Sequence, residues 1–168
     1  MNEPADSPEA MWHAFLASTP ESPDPLGPES YTAWHFCDTQ EPADELAELT
    51  RAGRKRATTA ALWTHELTGE PLPRPGDLSV VTDWSGRARC LIRTTSVEIV
   101  AFSEVDAEFA RTEGEGDGSL AYWREAHWSY FTRELAAFGR LPADDMPLVC
   151  ERFEVVYGAP QAAAGERD

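Results

Sequence analysis

The sequence predicts a mixed α+β domain, a small curved sheet or barrel with helices between its strands. Three observations point there. Two β-prone runs flank a Ser85-Gly86 turn. Segments with helical apolar spacing lie before and after that hairpin. The 168 residues, 42% of them apolar, suit one domain with one sizeable core.

In chain order, residues 1–30 form an acidic, proline-rich extension. Within it "SPEAMWHAFLAST" predicts a short helix with Ser7 as N-cap, Pro8 at the first helical position and an apolar stripe of Met11, Trp12 and Phe15. "PESPDPLGPES" reads as an extended linker, and the helix either covers a cleft or packs behind it. "YTAWHFC" (31–37) predicts a strand and "EPADELAELTRAG" (41–53) a helix closed by Gly53. "TTAALWTHELTG" (58–69) predicts a second helix, opened by a threonine cap and closed by Gly69. "LSVVTDW" (78–84) and "RARCLIRTTSVEIVAF" (87–102) make the hairpin. A short helix capped by Ser103 spans 103–114, a long one spans 119–139, and "PLVCERFEVVY" (147–157) is the closing strand. The domain proper is therefore 31–157, followed by a frayed tail at 158–168.

A formal charge of −16 argues against a general nucleic-acid coat, because phosphate contacts need cationic surface. No run approaches the roughly 18 apolar residues of a membrane helix. The acidic N-terminus does not resemble a signal peptide, so the expected location is the cytoplasm. Cys37, Cys90 and Cys150 are widely spaced and suit free buried thiols. The four histidines show no metal-ligand spacing with them, so neither a metal nor a cofactor is expected.

Against that acidic background, "GRKRATT" (53–59) holds the only lysine of the chain. Arg51, Arg54, Lys55 and Arg56 between two helices predict a pocket for an anionic or oxygen-rich ligand, or else a solvated turn. Flanking arginines should lower the lysine pKa, fitting Lys55 to act as a base beside Thr58. Arginine cannot take that role, because it stays protonated.

Gly53-Arg54-Lys55-Arg56-Ala57-Thr58 resembles the Gly-x-Lys-x-x-Thr motif of ASCH domains, a branch of the PUA-like β-barrel superfamily. The resemblance continues through "PLPRPGD", "EVDAEFARTEGEGD", "YWREAHWSYF" and "VCERFEVVY" and is similar in order to the bacterial YhfF-like subgroup. It implies a pseudo-barrel whose cleft binds a nucleoside or RNA. Small bacterial ASCH proteins that hydrolyse the acetyl amide of N4-acetylcytidine are similar here, and their lysine, threonine and glutamate fall on Lys55, Thr58 and Glu113. By that resemblance Thr58 or a water it positions attacks the acetyl group, Lys55 draws off the proton and Glu113 returns one to the leaving amine.

The acidic stretch Glu113-Gly114-Glu115-Gly116-Asp117 has other readings: a flexible link with a helix cap at Asp117 or Ser119, or a divalent-metal loop, although EF-hand ligand alternation is absent. Glu115 is a substitute for Glu113. Trp63 is either core or a platform for a base. His127, four residues after Trp123, suits a core histidine better than a catalytic one. Arg87, Arg89 and Arg93 share a strand face, as solvated surface or a phosphate track. Asp38 enters the cleft by resemblance. The functions in view are an amidohydrolase acting on an acylated pyrimidine nucleoside, a non-enzymatic RNA- or nucleotide-binding module, and a ribonuclease using the same lysine. The charge favours a small neutral ligand.

Overall fold

A computed structural model describes residues 4–19 and 30–158. The linker expected at 20–30 and the tail expected at 158–168 lie almost wholly outside them. Five strands and five helices follow in the order α1 (Pro8–Ser18), β1 (Tyr31–Trp34), α2 (Gln40–Arg51), β2 (Ala57–Ala61), α3 (Leu62–Thr68), β3 (Leu78–Thr82), β4 (Ala88–Ala101), α4 (Ala107–Glu113), α5 (Leu120–Ala136) and β5 (Pro147–Tyr157).

The strands form one sheet in the order β1-β3-β4-β5-β2. β1 runs parallel to β3, and the other neighbours are antiparallel. β4 is 14 residues long and is shared along its length, pairing Ala88–Arg93 with β3 and Leu91–Ala101 with β5. Register shifts at Leu91/Ile92 and Thr94/Ser96 bend it, since a bulge adds local twist. Residues of both edge strands, Tyr31–Trp34 and Thr58–Ala60, line one cleft, so the sheet curls toward closure as a PUA-like pseudo-barrel.

Three apolar clusters hold the helices to this sheet. Phe102, Phe109, Trp123, Phe131, Leu135 and Met146 join α4 and α5 to β2 and β5. Phe36, Leu46, Val81, Ile92 and Phe153 join α2 to the middle strands. Trp12 and Phe15 of α1 meet Leu78, Val80 and Leu91. All five residues of β3 are buried because helices cover both of its faces. Trp12 is fully buried and stacks on Tyr31 at 5.0 Å, and no residue of α1 lines the cleft. The helix therefore packs behind the sheet. Its Ser7 cap is as expected, Oγ accepting from the Ala10 N–H at 3.0 Å.

Two expectations are corrected. The stretch 58–69 is not one helix: β2 ends at Ala61 and α3 begins at Leu62. The paired threonines are β-branched and sit opposite Glu151 and Cys150 of β5, so sheet pairing overrides the capping signal. Ser103 lies in a single 3-10 turn (Phe102–Glu104), and the α4 cap is Asp106, which accepts from the Phe109 N–H at 2.8 Å.

Candidate functional site

The segment between α2 and β2 decides where the cations point. The N–H groups of Arg54 and Lys55 both donate to the Leu49 carbonyl, which closes α2. Arg56 then donates to Thr112 and accepts from Phe153, so it already belongs to a strand-like ladder. Successive side chains of extended backbone face opposite ways. Lys55 turns inward and is 1% exposed, while Arg54 and Arg56 turn outward. Gly114 (φ 68°) packs directly behind this segment; a Cβ there would stand 2.3 Å from the Arg54 carbonyl oxygen. Only glycine fits that approach and that φ.

Inside, Lys55 Nζ lies 2.6 Å from Glu115 Oε1 and 3.6 Å from Glu113 Oε2, and 5.0 Å from the centre of the Phe36 ring. Glu113, the last residue of α4, is fully buried. Its Oε2 lies 3.1 Å from His127 Nε2, and its Oε1 accepts from the Thr59 hydroxyl. His127 Nδ1 sits 2.8 Å from the Trp123 carbonyl oxygen. Nδ1 donates to that carbonyl, and the Glu113 carboxylate beside Nε2 raises the His127 pKa and favours the imidazolium. With His127 in that form the group holds two cations and two carboxylates and is neutral as a whole. That balance is what lets four ionisable groups share a nearly dry site.

The titration directions agree with this arrangement. Burial pulls the Lys55 pKa down, but Glu113 and Glu115 outweigh it and leave the ammonium favoured. Burial also opposes the charged forms of Glu113 and His127. Lys55 and His127 nevertheless hold Glu113 below the usual carboxylate range, and Glu113 raises His127. The lowered lysine pKa expected from flanking arginines is therefore corrected: the arginines face away, and carboxylates surround the ammonium. Ligand atoms of Glu113, Glu115 and His127 fall within 4.8 Å of one another, a spacing a metal ion could use. Lys55 already supplies the positive charge between the two carboxylates, so such an ion would have to displace its ammonium.

Glu115, Thr59 and His127 open this cluster into a cleft of about 920 Å³. Its lining carries six carboxylates (Asp38, Glu45, Glu70, Asp77, Glu115 and Glu151) against one guanidinium, that of Arg133. Arg133 is itself engaged by Asp38 at 3.1 and 3.3 Å, which lowers the Asp38 pKa. Cys37, strained at φ 60°, also lines it, and burial pushes its thiol up to about 11. On the β5 wall, Glu151 accepts from the Thr94 hydroxyl at 2.5 Å, and burial raises its pKa. Trp34 and Tyr122 supply aromatic surface.

Of the residues singled out in the sequence, Lys55, Glu113 and Glu115 come together, and Thr58 and Asp38 line the cleft. Thr58 and Thr59 face opposite sides of β2, and it is Thr59 whose hydroxyl reaches Glu113. Six residues lie elsewhere. Arg54 and Arg56 line a separate groove. Trp63 packs under Arg140, whose guanidinium is 4.4 Å from a ring centroid, beside the α5 cluster. Arg93 pairs with Glu154 at 3.6 Å, and Arg87 and Arg89 pair with Asp83 and Glu48, so the strip is a set of surface ion pairs. His127, Thr59 and Glu151 were missed as site residues. His127 meets Glu113 only when α4 packs against α5, and Glu151 carries no local signal.

The fold and site define a PUA-like pseudo-barrel with a charge-balanced lysine cluster at the rim of an acidic cleft. The ASCH domain family model matches residues 32–157, and the chain belongs to that family. An ASCH domain from Lactobacillus crispatus JV V101 is 38% identical and superposes with a TM-score of 0.81, covering 89% of this chain and 93% of that one. A protein from Enterococcus faecalis V583 is 36% identical with a TM-score of 0.78, over 89% and 87% of the two chains. No functionally curated protein matches. No helix among the described residues is long and apolar enough to cross a membrane.

Proposed function

We propose that the cleft binds a neutral acylated pyrimidine nucleoside and hydrolyses its amide, with N4-acetylcytidine as the concrete substrate. The observation that carries this reading is electrostatic: a neutral catalytic cluster opens onto a lining rich in carboxylates, whose one guanidinium is already taken by Asp38. Such a lining repels phosphodiesters and accepts hydroxyl, amino and amide donors. The volume falls in the range of about 300–1,000 Å³ common to small-molecule sites.

In the reaction, Glu115 is the general base, the carboxylate of the cluster that reaches the cleft. It takes a proton from water as the water oxygen bonds to the acetyl carbonyl carbon. The negative charge that develops on the carbonyl oxygen is stabilised by the field of the Lys55 ammonium, held 2.6 Å from Glu115 just inside the cleft wall. Breaking the C–N bond then sends the proton from Glu115 to the departing N4 amine. The products are cytidine and acetate. Glu113 does not cycle protons; with Thr59 and His127 it holds Lys55 in place. Lysine is preferred to arginine here because a compact ammonium fits between two carboxylates over Phe36, where a planar guanidinium does not.

Chromatographic measurement of cytidine release from N4-acetylcytidine tests this. The wild type should release cytidine, and Glu115→Gln and Lys55→Arg should each lose at least 100-fold in kcat while remaining folded. Undiminished release by Glu115→Gln would defeat the assignment.

A further inference from the structure

Lys55 and its two neighbours form a thin wall with different chemistry on each side. Behind it lies a groove of about 420 Å³ lined by Arg54, Arg56 and Arg111, with glycines at 53, 114, 116 and 118. All three arginines are exposed, and among the described residues none has a carboxylate within 4 Å. Six other arginines (Arg51, Arg87, Arg89, Arg93, Arg133 and Arg152) each have an acidic partner, and Arg74, Arg124 and Arg140 do not, but only Arg54, Arg56 and Arg111 share one concavity. Three unpaired guanidiniums converging on one concavity repel each other unless an anion joins them. Asp117 is the one acid in the lining, and its carboxylate accepts from the Ser119 N–H at 2.8 Å. The groove keeps a net positive charge.

We propose that this groove binds a small phosphoryl anion of pyrophosphate size, separately from the nucleoside cleft. Planar guanidiniums recognise phosphoryl oxygens in pairs, and glycines let the backbone approach closely. The volume suits one or two phosphoryl groups rather than a strand, which would also meet the field of the acidic surface. Binding has a consequence for the cleft. Arg54 and Arg56 come from the segment that carries Lys55, Arg111 from α4, and Gly116 lines both groove and cleft. An anion bridging them ties the Lys55 segment to the 114–118 loop, which holds Glu115 on Lys55 at 2.6 Å.

The test is calorimetric titration with sodium pyrophosphate against sodium chloride at matched ionic strength, followed by hydrogen exchange of residues 114–118. The wild type should bind saturably, more weakly as salt rises, with slower exchange in that loop. Combined Arg54→Gln, Arg56→Gln and Arg111→Gln should weaken binding at least tenfold, while Arg74→Gln, at an exposed arginine outside the groove, should not. The three groove positions are exposed, so the combined variant should fold, as its thermal transition will show. Absence of saturable binding, equal affinity in the combined variant, or unchanged loop exchange in the bound state overturns the proposal. A single-stranded RNA octamer that binds but is not displaced by pyrophosphate overturns it as well. The outcome is independent of cytidine release, so either proposal can fail alone.

Discussion

At the Lys55 side of the cleft, Glu113 and Glu115 are answered by an ammonium and an imidazolium, and the fully buried Glu113 is held ionised. On the β5 wall, Glu151 is also largely buried, yet among the described residues it has the Thr94 hydroxyl and no cation within 4 Å. Its pKa moves up where that of Glu113 moves down. The same side chain is thus shifted in opposite directions by whether a cation shares its burial. The Lys55 side is built to keep charge in place; the β5 wall leaves Glu151 easier to protonate than an ordinary carboxylate.

The largest expected effect comes from breaking the charge balance. Lys55→Met leaves two carboxylates against one imidazolium and should cost about 3–5 kcal/mol in urea denaturation. Adding Glu113→Gln should recover part of that loss. Equal stability of Lys55→Met and wild type would end the comparison. Next, Thr59→Val removes a hydrogen bond to a buried carboxylate and should cost about 1.5–3 kcal/mol, whereas Thr58→Val, on the other face of β2, should cost much less. Reversal of that order would mean that the two threonines have exchanged faces.

The pH responses sharpen the contrast. Because the Glu151 pKa is raised, the stability it adds is present below the unfolded value near 4.5 and is lost as pH rises through the folded value. Glu151→Gln should therefore remove that dependence and equal or exceed the wild type by about 1 kcal/mol at pH 7. His127, also raised, adds stability that is complete below the unfolded value of 6.5 and fades as pH rises through its higher folded value. Its ring resonances should titrate above 6.5 in the wild type and move down in Glu113→Gln. A wild-type midpoint below 6.5 would contradict the imidazolium assignment.

Much of the frame was legible in the sequence because its signals were local. Ser7 and Pro8 start α1, Gly53 ends the turn after α2, and Trp123, His127, Phe131 and Leu135 repeat along α5 as its buried face. Residues 58–61 misled because threonine serves both a helix cap and a strand, and only pairing with β5 decides between them. Lys55 stood out by composition alone. The spread of its neighbours did not, although i and i+2 arginines around it would face away from it in any extended segment. Glu151 and His127 owe their roles to the packing of β4 against β5 and of α4 against α5, contacts that no stretch of sequence contains.

The central claim is that an acidic cleft with a neutral cluster takes a neutral nucleoside. Its most direct test compares kcat/KM for N4-acetylcytidine and for its 5′-monophosphate, in the variant lacking Arg54, Arg56 and Arg111 so that the groove contributes nothing. The account predicts turnover of the nucleoside at least tenfold more efficient than that of the monophosphate. Equal or better turnover of the monophosphate, or no turnover of either, would contradict it.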